Sequence, residues 1–415
     1  MSLTPSRLIA FLRWTEKYTK TDMIYLAKGG GWSVLGTIVT TIIAAFTFLA
    51  FANWLPKESY GTYQYILAVA DLFGIFVLSG IDTAVARASA RGQEGSLMEG
   101  LYTKIRWGLI GGFGAIALGT YYLVNANMAL GFGFIIAGIF LPFWEAPGLY
   151  GTYLQGKKQF ALLNIGDVIT QFGSALTIIP TLFFTDNVLI ILFVYLATWG
   201  ILRTGFFVFT LRKFPPNDVR DPEMVPYGKH LSTMLVIGTV ASKADTVLLW
   251  HFLGPVSVAI YVFSQSIPMR ANGFLKIINR LAFPKMAAQD PTELRNTLMH
   301  KVWLLVGFST LCAIGYAILA PFIFSLLLPN YMDAVPYTIL ASALIALQPF
   351  SLISSAFGAQ ANKKYLYIWS MGAPLMRIGL FLILIPLFGL WGAMSGLILA
   401  KTLEALLLIV LFYRL

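Results

Sequence analysis

Three charged residues lie inside two apolar stretches, where a charge is costly. Lys243, Asp245 and Arg270 fall within residues 239–288, which form two helix-length apolar runs joined by a Leu-Gly-Pro turn at 253–255. A charge at the centre of a membrane-spanning helix costs about 2.5–3.5 kcal/mol on insertion scales. Such charges persist where they find a partner or face a water-filled cavity. Two interpretations therefore stay open: the charges hold helices together, or they line a pathway for an anionic substrate.

Local pairing does not explain these charges. Lys243 and Asp245 are two residues apart, so on a helix they point to nearly opposite faces. Neither Lys243 nor Arg270 has a carboxylate three or four residues away. We expect both cations to bind an anion, Arg270 through two parallel N–H groups of its guanidinium and Lys243 as a point charge. We expect Asp245 to matter more for packing of the lobes than for substrate binding. Arg377, midway along another apolar run, would contact Asp167 or face the cavity.

Polar residues also repeat at helical spacing nearer the N-terminus. Gln64, Asp71 and Asp82 are seven and eleven residues apart, so one continuous helix would place them on one stripe. Asp71 is expected to face a cavity and to change protonation during transport. Thr37 and Thr41 form part of a hydroxyl stripe that either contacts substrate or packs helices together. The predicted substrate-binding residues are Lys243, Arg270, Arg377, Gln64, Thr37 and Thr41, and the predicted coupling or gating residues are Asp71, Asp82, Asp245 and Asp167.

Composition places these residues in a membrane protein. The 415 residues are 58% hydrophobic and 11% charged, whereas a soluble domain has about 25% charged residues. Apolar runs of about 20 residues recur along the chain, each long enough to cross a bilayer. A single cysteine and three scattered histidines predict no disulfide framework, metal site or cofactor. The net charge of +11 resides largely in loops, which indicates topology signals rather than nucleic-acid binding.

Turn signals divide the chain into an all-α protein of about twelve spans. Residues 1–28 are basic and amphipathic, and we expect them to lie on the cytoplasmic membrane surface. Residues 212–228 are rich in proline and charge and form a predicted cytoplasmic linker between two lobes, 29–211 and 229–415. The predicted spans are 29–53, 61–84, 101–124, 128–150, 161–184, 188–211, 229–253, 256–278, 301–328, 334–357, 365–388 and 390–413.

Charge distribution and a weak repeat define the predicted arrangement. Lys and Arg concentrate in the loops of one side, and the other side has Lys57 alone, which predicts that both termini are cytoplasmic. At an offset of 206 residues, the lysine pair 157–158 matches 363–364, and the Ile-Pro pair 179–180 matches 385–386. Each half crosses an even number of times, so the halves would be related by a pseudo-twofold axis along the membrane normal. Substrate sites of such transporters lie between the halves.

Two stretches resemble a known family. Residues 55–91, LPKESYGTYQYILAVADLFGIFVLSGIDTAVARASAR, resemble the second-helix signature of the Wzx-type polysaccharide flippases, in which a "gpeeyGlY" turn leads to a "Gld.a..r" helix end. Residues 250–287 are similar to the matching eighth-helix signature, where a Gly-containing turn leads to "vaiYs.a" and "fPkma". Asp245 falls where that family often has an acidic residue. Residues 256–259 depart from the pattern, with Val-Ser-Val-Ala where the family prefers an acidic residue followed by Val-Gly.

The resemblance implies a fold and a function. The fold is that of the multidrug/oligosaccharidyl-lipid/polysaccharide exporters, with two six-helix lobes around a central cavity lined by the first, second, seventh and eighth helices. The function is that of a flippase, not an enzyme, which moves polyprenyl-diphosphate-linked oligosaccharide to the outer leaflet for cell-surface polysaccharide. The implied partners are the lipid-linked sugar, the bilayer, a coupling proton or cation, and a polymerase or ligase of the same pathway.

Two other functions stay open. An ion-coupled multidrug antiporter of the same fold would favour an acidic cavity, against which Lys243 and Arg270 argue. A membrane-embedded polysaccharide polymerase or ligase would need a sizeable outer loop with Arg and His, and the predicted outer loops are only a few residues long. No HExxH, P-loop or GxSxG motif occurs in a suitable context. The related lipid II flippase usually has two further helices, which this length does not allow.

Overall fold

The computed structural model describes residues 23–270, 273, 286, 291–360 and 363–414. The predicted surface segment 1–28 therefore lies mostly outside the described residues. We divide the helices into an N-lobe before the linker and a C-lobe after it. The N-lobe helices are α1 Met23–Trp54, α2 Lys57–Phe73, α3 Gly80–Ala90, α4 Ser96–Val124, α5 Met128–Glu145, α6 Leu149–Gly156, α7 Phe160–Phe184 and α8 Val188–Lys213. The C-lobe helices are α9 Met224–Leu253, α10 Pro255–Arg270, α11 Pro291–Leu327, α12 Val335–Ala341, α13 Ala343–Leu347, α14 Ser351–Ala359 and α15 Lys363–Tyr413.

The predicted spans correspond to these helices. Within the described residues, ten segments are long and apolar enough to cross a membrane. The last of them, Tyr367–Tyr413, contains two predicted spans, divided at Gly389, where φ is 58°. Glycine adopts this left-handed backbone without the steric cost of a side chain. The 16 residues of α10 belong to the eighth predicted span. Together these segments form an all-α, multi-pass membrane protein.

Several spans are broken rather than continuous. The second changes at Gly74–Val77 into a 3₁₀ turn, after which Leu78 has a left-handed φ of 60°. The fourth is broken by the 3₁₀ turn Ala146–Gly148, whose Pro147 has no N–H for the helical ladder. The tenth contains a similar turn at Gln348–Phe350. Irregular backbone at membrane depth occurs where protein buries it or where it lines a cavity.

The two lobes meet along a seam, in which α2 and α3 run antiparallel to α9, and α2 also packs on α10. Three contacts mark its length: Gly61 against Pro255, Tyr65 against Trp250, and Gly80 against Ser232. At the first, a side chain on Gly61 would collide with the Pro255 carbonyl, so this approach requires glycine. The Tyr65 and Trp250 rings stack with centroids 4.4 Å apart. We call the two ends of the seam the Lys57 end and the linker end.

Aromatic rings fill the Lys57 end of the seam. Phe263 of the C-lobe has ring centroids 4.6 Å from both Phe48 and Tyr60 of the N-lobe, and 4.0 Å from Tyr331. We call these four residues the aromatic cluster. Because apolar rings packed this closely exclude water, the lobes are closed at this end.

The linker is fastened to the N-lobe rather than hanging free. The Asn217 side chain accepts from the Glu94 backbone N–H and donates to the Gly92 carbonyl. Lys157 forms an ion pair with Glu94 at 2.7 Å, and the Tyr153 hydroxyl donates to the same carboxylate. Burial raises the pKa of Glu94, but these bonds outweigh burial and lower the pKa below its usual value. Glu94 is therefore ionised at neutral pH.

Candidate functional site

The most informative contact joins two residues that the sequence singled out separately. Asp71 lies near the end of α2 and Lys243 near the middle of α9, and their side chains form an ion pair across the seam with Nζ–Oδ2 of 2.6 Å. Asp71 lies about 20 Å along the helix from Lys57, near mid-membrane depth. It also directly precedes the break at Gly74. Both side chains keep about a third of their surface exposed, 34% for Asp71 and 32% for Lys243.

Lys243 has no carboxylate three or four residues away, as the sequence indicated, and its partner comes from the other lobe. Its partner is 172 residues away in sequence, so helical spacing cannot find it. The prediction that Lys243 and Asp245 do not neutralise each other is confirmed, because each pairs with a residue on another helix.

The predicted stripe of Gln64, Asp71 and Asp82 is wrong at Asp82. The helix breaks between Asp71 and Asp82, so the periodicity does not continue to the third residue. Asp82 instead forms an ion pair with Lys104 of α4 at 2.7 Å, within the N-lobe. Lys104 is almost fully buried, although its position suggested a loop charge.

Asp245 belongs to a buried network that joins three C-lobe helices. Its Oδ2 accepts from Arg377 Nη2 of α15 at 2.8 Å and from the Tyr261 hydroxyl of α10 at 2.9 Å. The Asp245 side chain is 4% exposed and the Arg377 side chain 17%. The suggested contact between Arg377 and Asp167 is not made: the Asp167 carboxylate accepts from the Tyr150 hydroxyl at 3.4 Å.

Arg377 also lines a cavity within the C-lobe. The cavity has a volume of about 290 Å³ and lies between α9 and α15. Lys401 and Glu404 line it as well, and they form a local ion pair at 2.7 Å.

Arg270 lies beside the aromatic cluster, at the end of the described part of α10. Its guanidinium lies 5.3 Å from the centre of the Phe48 ring, a cation–π contact between the lobes. Arg270 also interacts electrostatically with Tyr60, which hydrogen-bonds to Gln64. Within the residues that the structure describes, Arg270 has no carboxylate within ion-pair distance, and its side chain is exposed.

The two threonines of α1 lie on its exposed face. Thr41 donates its hydroxyl to the Thr37 carbonyl at 2.7 Å, so that donor is used within the helix. The opposite side of this turn packs on α7, where a side chain on Gly36 would meet Asn164.

The structure gives a role to Arg203, which the sequence analysis did not single out. Arg203 donates to the Trp144 carbonyl at 2.9 Å, beside the break in the fourth span. It lies 3.8 Å from Glu145 and stacks on Trp199 with 4.7 Å to the ring centre. The prolines that break the fourth span were the available signal, because a broken helix frees carbonyls that a guanidinium can satisfy.

Charges are unequally divided between the lobes. On the N-lobe side, Tyr195 interacts electrostatically with Asp71, Glu145 and Arg203, and Arg203 interacts with Asp167. This group contains three carboxylates and one guanidinium. The candidate residues of the C-lobe are three cations and one carboxylate: Lys243, Arg270, Arg377 and Asp245. The predicted cations thus all come from the C-lobe, and one of them, Lys243, pairs with a carboxylate of the N-lobe.

Comparison with known proteins identifies the family. The sequence model described as polysaccharide biosynthesis protein matches residues 26–289. The chain belongs to this polysaccharide biosynthesis family. The match includes the second and seventh spans, and therefore both Asp71 and Lys243. No curated protein sequence is similar enough to count as a match.

Solved structures show that this family member has the exporter fold named above. One similar structure is the lipid II flippase MurJ in an inward closed conformation, at 15% identity and TM-score 0.67, covering 91% of this chain and 86% of that one. Another is an inward-facing multidrug resistance MATE family transporter, at 14% identity and TM-score 0.69, covering 91% and 97%. A third is a transporter of the same superfamily from Pyrococcus furiosus, described as having a binding pocket of reverse polarity, at 14% identity and TM-score 0.61, covering 92% of this chain and 93% of that one. The prediction of two pseudo-symmetric six-helix lobes around a central cavity is confirmed.

Proposed function

We propose that this protein is a flippase that moves a polyprenyl-diphosphate-linked oligosaccharide from the cytoplasmic to the outer leaflet. Membership of the polysaccharide biosynthesis family and a fold shared with a lipid II flippase support this proposal. The observation that carries it is Lys243, a cation near mid-membrane depth that faces the other lobe and stays a third exposed. A lipid whose headgroup bears a diphosphate is the substrate class that such a cation suits.

The proposed contact is electrostatic. Lys243 and Arg270 approach the diphosphate from the C-lobe, where charge-assisted hydrogen bonds to phosphate oxygens are stronger than neutral ones. Arg270 suits this role because the described residues offer it an aromatic ring but no carboxylate. Gln64, which hydrogen-bonds to Tyr60 beside Arg270, is placed to contact the sugar or the phosphate. Thr37 and Thr41 are proposed to contact the sugar from the exposed face of α1.

The proposed cycle is alternating access with both termini in the cytoplasm of a plasma-membrane protein. The lobes are closed at the Lys57 end, which the loop charges assign to the outside. At the linker end Gly80 packs against Ser232, so in the proposed cycle this contact opens to admit the substrate from the cytoplasm, where it is made. A polymerase or ligase of the same pathway would use the lipid-linked sugar after release. A proton or cation acting on the acidic N-lobe group is the proposed source of coupling.

Transport in proteoliposomes tests the proposal. The probe is a fluorescent polyprenyl-diphosphate-linked oligosaccharide, whose exposure in the outer leaflet is measured by a membrane-impermeant quencher. Arg270→Ala should lower the rate at least tenfold, because charge-assisted contacts to a desolvated anion are worth about 1.5–3 kcal/mol. Arg270→Lys should retain part of the rate, and Lys243→Arg should be tolerated best.

Lys401→Gln is the matched control, because Lys401 also lies within a span but pairs locally with Glu404. It should transport at the wild-type rate. Wild-type transport by both Arg270→Ala and Lys243→Ala, at equal protein levels, would contradict the assigned site. Failure of the wild-type protein to move any lipid-linked diphosphate would contradict the function.

A second candidate function is the ion-coupled multidrug antiporter. The observation that favours it is the acidic N-lobe group of Asp71, Glu145 and Asp167 around Arg203. An antiporter should bind organic cations and release them when these carboxylates are protonated. Binding of a fluorescent organic cation that Asp71→Asn abolishes, with no binding of lipid diphosphates, would select this function over the flippase.

A further inference from the structure

The ion pair between Asp71 and Lys243 occupies the cation that the proposed function assigns to the substrate. Asp71 Oδ2 lies 2.6 Å from Lys243 Nζ, within direct hydrogen-bond distance. An anionic headgroup therefore cannot reach Lys243 without replacing Asp71 or sharing the ammonium with it. The pair is open to such exchange, since both side chains remain about a third exposed.

A second ion pair on the same helix is built differently. Asp245, two residues from Lys243, is 4% exposed and is bonded to both Arg377 and Tyr261. All of its partners belong to the C-lobe, whereas the partner of Lys243 belongs to the N-lobe. Asp245 is thus held within one lobe, whereas the Asp71 pair joins two lobes and would open if they moved apart.

The N-lobe surroundings of Asp71 make the exchange depend on charge. Asp71 belongs to the group that also contains Glu145, Asp167 and Arg203. An incoming anion must compete with the Asp71 carboxylate for Lys243. It does so in the neighbourhood of Glu145 and Asp167, whose charges Arg203 offsets only in part. A monoanion offers Lys243 no more charge than Asp71 already does. A diphosphate offers more charge and enough oxygens to bind a second cation.

We propose that Asp71 is a specificity-determining residue, an internal competitor whose carboxylate reserves Lys243 for headgroups with more than one negative charge. This inference rests on the proposed flippase function and adds the reason for selecting a diphosphate over a monophosphate. It also links binding to movement: a bound diphosphate removes the only ion pair that joins α2 to α9 among the described residues. The freed carboxylate stays hydrated, because it already faces open space.

Binding of short isoprenoid lipids to the purified full-length protein in detergent tests the inference. The probes are farnesol and the methyl esters of farnesyl phosphate and farnesyl diphosphate, in which the methyl group replaces the sugar. At neutral pH the esterified monophosphate is a monoanion and the esterified diphosphate a dianion, because esterification removes the second ionisation of the terminal phosphate. All three share one tail, and native mass spectrometry measures their dissociation constants. Wild-type protein should prefer the diphosphate over the monophosphate by about tenfold or more, as expected for close charge pairs. Asp71→Asn removes the competitor and should tighten monophosphate binding, so that this preference falls to about threefold or less.

Two variants separate competition from a structural role. Asp71→Glu keeps the competing charge and should keep the preference, whereas a purely structural role would make it resemble Asp71→Asn. Glu404→Gln removes a carboxylate that pairs locally with Lys401 within one helix and should leave the ratio of the two dissociation constants unchanged. Lys243→Gln should weaken both phosphates and leave farnesol binding as it was.

The outcomes distinguish this inference from the function on which it rests. If wild-type protein binds none of the three probes, the flippase proposal fails. If it binds the diphosphate but Asp71→Asn leaves the preference unchanged, only the role of Asp71 fails. Should Asp71→Asn not accumulate, competition on wild-type protein decides: inorganic pyrophosphate should displace the esterified diphosphate, and acetate at equal ionic strength should not. Equal displacement by both anions would overturn the inference.

Discussion

The two carboxylates that pair with cations of the C-lobe differ in burial, and burial determines what each contributes. The Asp71 pair is a third exposed, so water screens it and its breaking costs little. The Asp245 pair is nearly enclosed, so loss of one partner leaves a desolvated charge. The first suits a contact that opens in each transport cycle, and the second suits a fixed joint between helices.

The buried pair gives a stability prediction. Arg377→Met should lower the free energy of unfolding by about 3 kcal/mol, because Asp245 would keep its charge without its main partner. Asp245→Asn added to Arg377→Met should recover most of that loss. Thermal unfolding in detergent, followed by intrinsic fluorescence, measures both variants.

A local ion pair provides the control for this experiment. Lys401→Met breaks a pair between residues three apart on one helix and should cost less than about 0.5 kcal/mol. If Arg377→Met proves no more destabilising than Lys401→Met, the network around Asp245 does not hold the C-lobe together.

At the scale of elements, the ends of α1 and α2 are joined to the C-lobe by polar contacts around the aromatic cluster. Lys57 forms an ion pair with Asp333 at 2.6 Å and lies 5.2 Å from the Tyr331 ring centre. The Asn53 side chain donates to the Leu327 carbonyl, and the Asn330 side chain donates to the Asn53 carbonyl. These bonds cross the seam at its Lys57 end, so they must break if the lobes separate there.

The ion pair at this end gives a prediction about conformation. Because Lys57 and Asp333 are 28% and 45% exposed, their pair is worth about 0.2–1 kcal/mol. Asp333→Lys should therefore raise the population open at this end by at least twofold, and Lys57→Asp added to it should restore closure. Spin labels at the exposed positions Glu58 and Met332, with Cys312 replaced by Ser, report the distance across the seam. Identical distance distributions for the wild type and Asp333→Lys would contradict the prediction.

The seam also shows how far sequence alone could go. Hydropathy and turn signals predicted the helices, because a helix depends mainly on residues that are neighbours in the sequence. Charged residues inside apolar runs singled out Asp71 and Lys243 individually, because the free-energy cost of placing a side chain in the membrane depends on its residue type. Their pairing could not be predicted, since helical spacing relates only residues of the same helix. The error at Asp82 has the same origin, because the left-handed Leu78 that ends the stripe has no signature in hydropathy.

At the scale of the whole molecule, the lobes share a continuous seam while their charges differ. The N-lobe contributes most carboxylates near Asp71, and the C-lobe contributes Lys243, Arg270 and Arg377. Opposite charges across a seam favour closure when the site is empty. A multivalent anion neutralises the C-lobe cations and weakens that attraction. Under the proposed function, the same charge division would provide both substrate selection and a reason for the lobes to separate after binding.

The orientation of the molecule is the remaining prediction at this scale. Lys and Arg crowd the loops at the linker end, so that end should be cytoplasmic and the Lys57 end outside. Gly389 supports an even number of spans, because its left-handed turn reverses the chain between the last two. Reporter fusions placed after each predicted outer turn should all report an outside location, namely after Asn53, Asn125, Asp186, Gly254, Asn330 and Gly389. Fusions after Lys157 and Arg220 should report a cytoplasmic location, and one strong cytoplasmic signal from the first set would contradict the twelve-span topology.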